Sequence, residues 1–243
     1  MMYGKLCTKF YDADKKFASP EEINFCESIF NKSDLILEPM CGSGRLLIPL
    51  LQAGYTVHGL DNSSDMLHSC RNRASELGLQ PTLFEDEVER MKLPQKYDGI
   101  VIPFGSFQLF YPRANAFHAL EVLKEHLKPN GKLMLDLFVP WDALYENNEE
   151  EQSEREVETN DGSIIKIDSH STANKYEQFI LSKTKYSELV HGNVVCQEEE
   201  QMHIAWYYRY EMELILEKFG FKNIHYQTRF LNNSDHMTFI AEN

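Results

Sequence analysis

The sequence predicts an α/β chain: a doubly wound, mostly parallel seven-stranded sheet with a C-terminal antiparallel hairpin and an inserted antiparallel β meander. Three observations predict it. Between residues 34 and 139, short apolar runs alternate with segments of helical period, the signature of strands joined by crossover helices. Several of those runs end in an acidic residue or a small-residue turn, the position at which open α/β sheets bind ligands. After Trp141 the pattern changes to short β-like runs separated by Asp161-Gly162 and His191-Gly192 turns.

Residues 3 to 17 mix Tyr3, Phe10, Tyr11 and Phe17 with lysines and aspartates, a docking arm without a defined element. A helix follows, with Ser19 as N-cap, Pro20 in the first turn and Glu21-Glu22 facing the positive end of its dipole. Strand 34 to 38 leads through Gly42 and Gly44 into helix 44 to 53, which stops at Gly54. Tyr55 to Leu60 forms the second strand and ends at Asp61; Asn62-Ser63-Ser64 then caps a helix closed by Gly78. The third strand, Pro81 to Phe84, is followed by Glu85-Asp86. Tyr97 to Ile102, the helix from Pro112 to Leu127, and Lys132 to Val139 complete the repeating pattern.

The meander is expected at Ile164 to Ile167, Phe179 to Leu181 and Val194 to Cys196. The glutamate run within 146 to 158 reads as a solvated loop or strand edge. A last helix from about Arg209 to Phe219 precedes two strands, Phe221 to Phe230 and His236 to Ala241, joined by a turn at Asn232 to Asp235. These elements suit one domain over 1–243, with an N-terminal arm at 1–18 and an inserted β-rich cap at about 141–206.

Composition limits the function. Against 24 basic residues stand 38 acidic ones, a formal net charge of -14, which repels phosphate backbones and argues against nucleic acid. No apolar run approaches the ~20 residues of a membrane span, and no signal-peptide core is present, so a cytoplasmic protein is expected. Five cysteines without a CxxC pair and nine histidines without HxH or HExxH spacing predict neither a disulfide framework nor a metal site.

The stretch Glu38-Pro39-Met40-Cys41-Gly42-Ser43-Gly44-Arg45 is the strongest functional signal. Its glycines would let a ligand approach the backbone, and the helix start offers unpaired N–H groups. A loop built for a pyrophosphate would not place a carboxylate four residues before its first glycine; a cationic ligand would be attracted to one. With Asp61, Asp86 and Ile102 to Ser106, four strand-end sites fall in register.

This set resembles the class I S-adenosylmethionine-dependent methyltransferases of small-molecule type, with their Rossmann-like fold, in which an acidic residue precedes a Gly-x-Gly turn and a second acidic residue closes strand two. The resemblance covers 34 to 139, fits the closing helix and hairpin at 209 to 241, and leaves 141 to 205 outside. It implies S-adenosylmethionine as cofactor and S-adenosylhomocysteine as product. It places Glu38 near the methionine moiety and gives Gly42 and Gly44 close backbone approach. Asp61 would accept the ribose hydroxyls beside Asn62, Met66 would pack on adenine and Asp86 would accept from its amine. Pro103 and Phe104, in the 102 to 106 stretch, would border the methyl group. Met40, beside Cys41, departs from the glycine many members carry.

Two other readings stand beside this one. A dinucleotide-binding oxidoreductase would explain Gly42, Gly44 and Asp61, but its third glycine would fall at Leu47. A regulator could retain the fold without turnover, since no catalytic base is identifiable. Ile102-Pro103-Phe104-Gly105 lacks the polar first residue of the Asn/Asp-Pro-Pro-aromatic tetrad that some methyltransferases use on amides or exocyclic amines, which leaves a small-molecule acceptor. The N-terminal arm with an inserted β-rich cap resembles the layout of natural-product, amino-sugar and glycine-type N-methyltransferases, which implies nitrogen in preference to oxygen. Expected around it are Tyr3, Tyr11, Phe104, Ser106, Gln108, Trp206, Tyr207, Tyr208 and Arg209, with Arg209 either on an acidic substrate group or in a structural ion pair. The insertion also suits a homodimer contact.

Overall fold

The computed structural model describes residues 3–15, 17–145, 150–228 and 236–243. The main sheet has seven strands in the order β10-β11-β5-β4-β1-β2-β3. They are β1 (Leu35–Pro39), β2 (Thr56–Asp61), β3 (Thr82–Glu85), β4 (Tyr97–Ile102), β5 (Leu127–Phe138), β10 (Lys222–Gln227) and β11 (His236–Glu242). Strands β3, β2, β1, β4 and β5 run parallel, while β11 pairs antiparallel with both β5 and β10. The predicted turn at Asn232 to Asp235 lies outside the described residues.

Adjacent residues on each central strand serve opposite cores, as the two-residue period of a pleated strand requires. Ile36, Val101 and Met134 face a cluster with Cys26, Ile29, Leu47, Ile48, Leu67 and Cys70, contributed by α2 (Pro20–Ile29), α3 (Leu47–Gln52) and α4 (Ser64–Glu76). Leu37, Ile100, Leu133 and Leu135 face the other way, onto Leu120 and Leu123 of α5 (Arg113–His126) and Met212 and Leu216 of α7 (Arg209–Lys218). Burial on both faces explains the continuous apolar runs of these strands.

Two expectations are corrected. The N-terminal arm is a helix, α1 (Lys5–Asp14), that buries Leu6, Cys7 and Phe10 against Met66, Ile165, Ile167 and Tyr186. Its apolar residues repeat over only three turns, so the mixed composition concealed it. The meander, expected as three short runs, is a four-stranded antiparallel sheet of β6 (Glu150–Glu158), β7 (Ile164–Asn174), β8 (Phe179–Val190) and β9 (Asn193–Ala205). Helix α1 covers only part of one face of this sheet, so few positions are apolar and the strands read as polar sequence. The glutamate run supplies β6, an exposed edge strand.

Helix α1 joins this second sheet to the main one. Lys9 bonds Asp161 at 2.9 Å and Glu188 at 2.6 Å, and Arg155 pairs with Asp14. On the other side Asp12 accepts from Ser69 at 2.5 Å and Arg73 at 3.2 Å, both on α4. Among the described residues no helix is long and apolar enough to cross a membrane, and no group of three or more His, Cys, Asp or Glu could hold a metal ion.

Candidate active site

At the carboxyl end of β1 the chain turns sharply at Met40, whose φ is +59°. A side chain in this left-handed region costs about 1–2 kcal/mol, which is the reason a glycine suits the position. Cys41 N–H then bonds Leu60 O at 3.0 Å, fastening the turn to β2. Gly42 follows with φ +53°, and a Cβ there would meet only Met66 Sδ at 3.8 Å, so the backbone is open to the cleft. Gly44 serves another purpose than expected: a Cβ would strike Cys70 Sγ at 2.6 Å and Ile48 at 2.9 Å. Its missing side chain lets the turn pack on α4 and leaves Gly44 off the cleft wall.

Asp61 ends β2 and holds the turn that follows β1. Its Oδ2 accepts from Gly42 N–H at 2.8 Å and its Oδ1 from Ser63 N–H at 2.9 Å. Ser63 caps α4 by accepting from Met66 N–H at 3.2 Å, and its hydroxyl donates to Tyr3 O at 2.7 Å. Burial raises the Asp61 pKa, opposed by those backbone donors. Asp86 follows β3, bonds Asp61 O through its own N–H at 3.2 Å and accepts from Glu87 N–H at 2.8 Å.

Glu38 is the unusual group. Its side chain is 2% exposed, and Oε2 is buried without a hydrogen-bond partner among the described residues. Burial pushes its pKa to about 8; the nearby Arg45 opposes this, and Asp61 and Glu22 add to it. A buried acceptor left unpaired costs about 1–3 kcal/mol, more when charged. An orphaned carboxylate oxygen beside an open glycine backbone fits a ligand that brings a cation and a donor.

Arg45 was not anticipated. It pairs with Glu22 through two bonds of 3.0 and 2.7 Å, both partners being buried, and its guanidinium lies 4.6 Å from the centre of the Phe104 ring. Glu22 also accepts from Ser19 N–H at 2.8 Å, so the residue that closes the α2 capping box also clamps the arginine behind the glycine turn. The Ser19-x-x-Glu22 spacing signalled the cap; nothing in the sequence signalled its partner.

Across the cleft, Phe104 (φ +57°) and Gly105 (φ +73°) turn the chain after β4. Asp136, fully buried on β5, holds them: its Oδ2 accepts from Phe104 N–H at 3.0 Å, and its carbonyl accepts from Gly105 N–H at 3.0 Å. His236 and Thr238 of β11 complete the network around its carboxylate.

These elements enclose a cavity of about 590 Å³. Its wall includes the predicted Glu38, Met40, Cys41, Gly42, Asp61, Asn62, Met66, Asp86, Pro103 and Phe104, with Tyr3, Tyr11 and Ser106. Five expected substrate contacts are elsewhere. Gln108 is fully buried and spends its amide on the backbone, donating to Ala205 O at 2.7 Å and Phe138 O at 3.0 Å and accepting from Phe138 N–H at 2.8 Å. It ties the second sheet to β5. Tyr208 is 41% exposed at the start of α7, outside the wall. Arg209 bonds Glu213 at 3.0 Å and stacks on Tyr226, the structural ion pair that was the alternative. Trp206 and Tyr207 are core. In their place the wall takes Tyr111, His118, Glu200, Met202 and His203, which lie in segments without a recognisable motif.

A family model described as a methyltransferase domain matches residues 36–131. Among curated proteins, a Bacillus subtilis protein provisionally named the methyltransferase YqeM is 30% identical over 104 residues, 42% of this chain and 41% of its own. An N,N-dimethyltransferase of Streptomyces fradiae, acting on dTDP-3-amino-3,6-dideoxy-alpha-D-glucopyranose, is 27% identical over 110 residues, 45% of this chain and 40% of its own. The chain thus spans between 30% and 51% of the length of the curated relatives it matches. Solved structures match over nearly the whole chain. An S-adenosylmethionine-dependent methyltransferase from Clostridium acetobutylicum has a TM-score of 0.78 at 15% identity, covering 96% of both chains. The sugar N-methyltransferase KedS8 from Streptoalloteichus has a TM-score of 0.74 at 15% identity, covering 96% of this chain and 90% of its own. At such identities the structural likeness speaks for the fold.

Proposed function

We propose that the chain is a class I S-adenosylmethionine-dependent methyltransferase, a reading supported by its match to a methyltransferase-domain model over 36–131 and by its fold, and that it transfers the methyl group of S-adenosylmethionine to the nitrogen of a small-molecule amine. The carrying observation is the unpartnered, buried Glu38 oxygen beside the open backbone of Gly42, in a cavity that Asp61 and Asp86 also line. These residues suit a cationic nucleoside: Glu38 would hold the amino-acid end, Asp61 the ribose and Asp86 the adenine amine, with Met66 packed alongside. Bound there, the cofactor supplies an electrophilic methyl on a sulfonium.

The protein's part is positioning. Phe104, fixed by Asp136 and backed by Arg45, would wall the methyl side, and Tyr3 and Tyr11 line the same cavity. Holding an acceptor nitrogen within about 3–3.5 Å of the methyl carbon supplies most of what an in-line displacement needs. A neutral amine attacks with its lone pair as the carbon–sulfur bond breaks toward sulfur, and the resulting ammonium suits an acidic wall. Nitrogen is favoured over oxygen because the wall is rich in carboxylates, Glu38, Asp61, Asp86 and Glu200 among them, which suit the ammonium that forms. The N-methyltransferases among its relatives and structural neighbours support the same preference. Incubation with methyl-labelled S-adenosylmethionine and an amine panel should transfer label to nitrogen; transfer to hydroxyl or thiol acceptors alone would overturn the reading.

A further inference from the structure

The second sheet contributes one carboxylate to the cavity. Glu200, on β9, is partly buried; Tyr186 of β8 donates its hydroxyl to Oε2 at 3.1 Å. Oε1 is buried and receives no N–H or O–H donor among the described residues, the Cys7 thiol being its neighbour. The strand period places Glu198 and Glu200 on the same side, and Glu198 is already used, accepting from Leu6 N–H at 2.8 Å at the start of α1. Glu199 points the opposite way. Glu200 is therefore a second half-satisfied carboxylate at the cavity, contributed by the sheet that carries no cofactor-binding residue.

The rest of this wall points to the kind of molecule that would meet it. His203 lies flat on Tyr111, rings 5° from parallel, a platform for a flat or ring-shaped apolar face. Six carboxylates line the cavity (Glu38, Asp61, Asp86, Glu87, Glu89 and Glu200) against the arginines 45 and 90 among the described residues. Both arginines are engaged, Arg45 with Glu22 at 2.7 Å and Arg90 with Glu87 at 3.2 Å. A phosphate would meet a lining in which carboxylates outnumber guanidinium groups.

We propose that Glu200 is an acceptor-binding residue whose carboxylate receives the N–H of an amine that carries no phosphate, lying along the Tyr111–His203 stack; an amine that arrives as the ammonium gives one proton to that carboxylate, and the neutral nitrogen left behind is the nucleophile. The inference rests on the methyltransferase reading and narrows its substrate. Burial raises the pKa of Glu200, with Tyr186 and Cys7 opposing, so its carboxylate takes up a proton more readily than an exposed one.

The test is calorimetric titration of the S-adenosylhomocysteine-loaded protein with two probes, 3-amino-3-deoxyglucose and its thymidine-diphosphate-linked form. The free amino sugar should bind at least tenfold more tightly than the linked one. Glu200→Gln should weaken it at least tenfold while leaving S-adenosylhomocysteine affinity within twofold, and Glu199→Gln should change neither. Tyr186→Phe, which frees the carboxylate without removing its charge, should weaken it at least threefold. Tighter binding of the linked sugar, no binding of either probe, or an unchanged Glu200→Gln affinity would overturn the proposal and leave the methyltransferase reading standing. Failure of S-adenosylhomocysteine itself to bind would overturn both.

Discussion

Gly42 donates its backbone N–H to Asp61 Oδ2 at 2.8 Å, so the carboxylate that ends β2 holds the glycine turn that ends β1. Its other oxygen accepts from Ser63 N–H at 2.9 Å, so both carboxylate oxygens hold backbone while Asp61 lines the cavity. Turn geometry and ligand capacity are coupled through a single side chain.

Replacing that side chain should therefore show in two measurements. Asp61→Ala strands the Gly42 and Ser63 N–H groups, each worth about 1 kcal/mol as a net hydrogen bond. Urea denaturation should report a loss of about 2 kcal/mol, and titration a loss of cofactor affinity of at least tenfold. Unchanged affinity with lowered stability would confine Asp61 to a structural role.

Glu38 makes affinity depend on pH. Its pKa of about 8 in the folded protein lies above the ordinary 4.5, chiefly through burial. The folded state thus holds a proton that the unfolded state releases. That contribution to stability is complete below about pH 4.5 and is lost as pH rises to about 8. A bound cation favours the carboxylate and expels the proton. Cofactor affinity should accordingly rise between pH 6 and pH 8, by at most roughly tenfold per unit, and level off above. Glu38→Gln should flatten the profile and weaken binding at pH 8; a profile that keeps its slope in the variant would exclude Glu38.

The Gly42 position tests whether the backbone is approached. Gly42→Ala adds a Cβ that touches only Met66 and keeps φ at +53°, at a cost of about 1–2 kcal/mol. Affinity should fall at least tenfold, further than that stability loss explains, because the Cβ points into the cleft. Thermal unfolding and titration together separate the two effects.

The Glu22–Arg45 pair should be costly to break from one side. Glu22→Ala leaves a buried guanidinium unpaired and opens the α2 capping box, and removing one partner of a buried pair costs about 3–5 kcal/mol. Denaturant unfolding should show that loss. A change below about 1 kcal/mol would mean that water reaches Arg45.

Much of this site was legible in the sequence because its chemistry is local. Glu38, Gly42, Asp61 and Asp86 each sit at or just past the carboxyl end of a strand, and strand ends can be located from apolar runs and turn residues. The remainder depends on contacts between distant segments. Glu22 meets Arg45 across 23 positions and Gln108 meets Ala205 across 97, and neither pairing leaves a periodic trace. Gln108, Tyr208 and Arg209 have the residue types of a substrate pocket, but the first is consumed by backbone groups and the other two face outward from α7. The acceptor wall is hardest to read, since Glu200 and His203 sit in a polar strand whose alternation shows which residues share a side but not which side α1 will cover.

The most direct test of the account is calorimetric titration of the unmodified protein with S-adenosylhomocysteine at pH 8. The cavity walled by Glu38, Gly42, Asp61 and Asp86 predicts saturable one-to-one binding with a micromolar Kd, abolished or weakened at least tenfold in Glu38→Gln. No heat of binding at 1 mM ligand, or equal affinity in the variant, would contradict it.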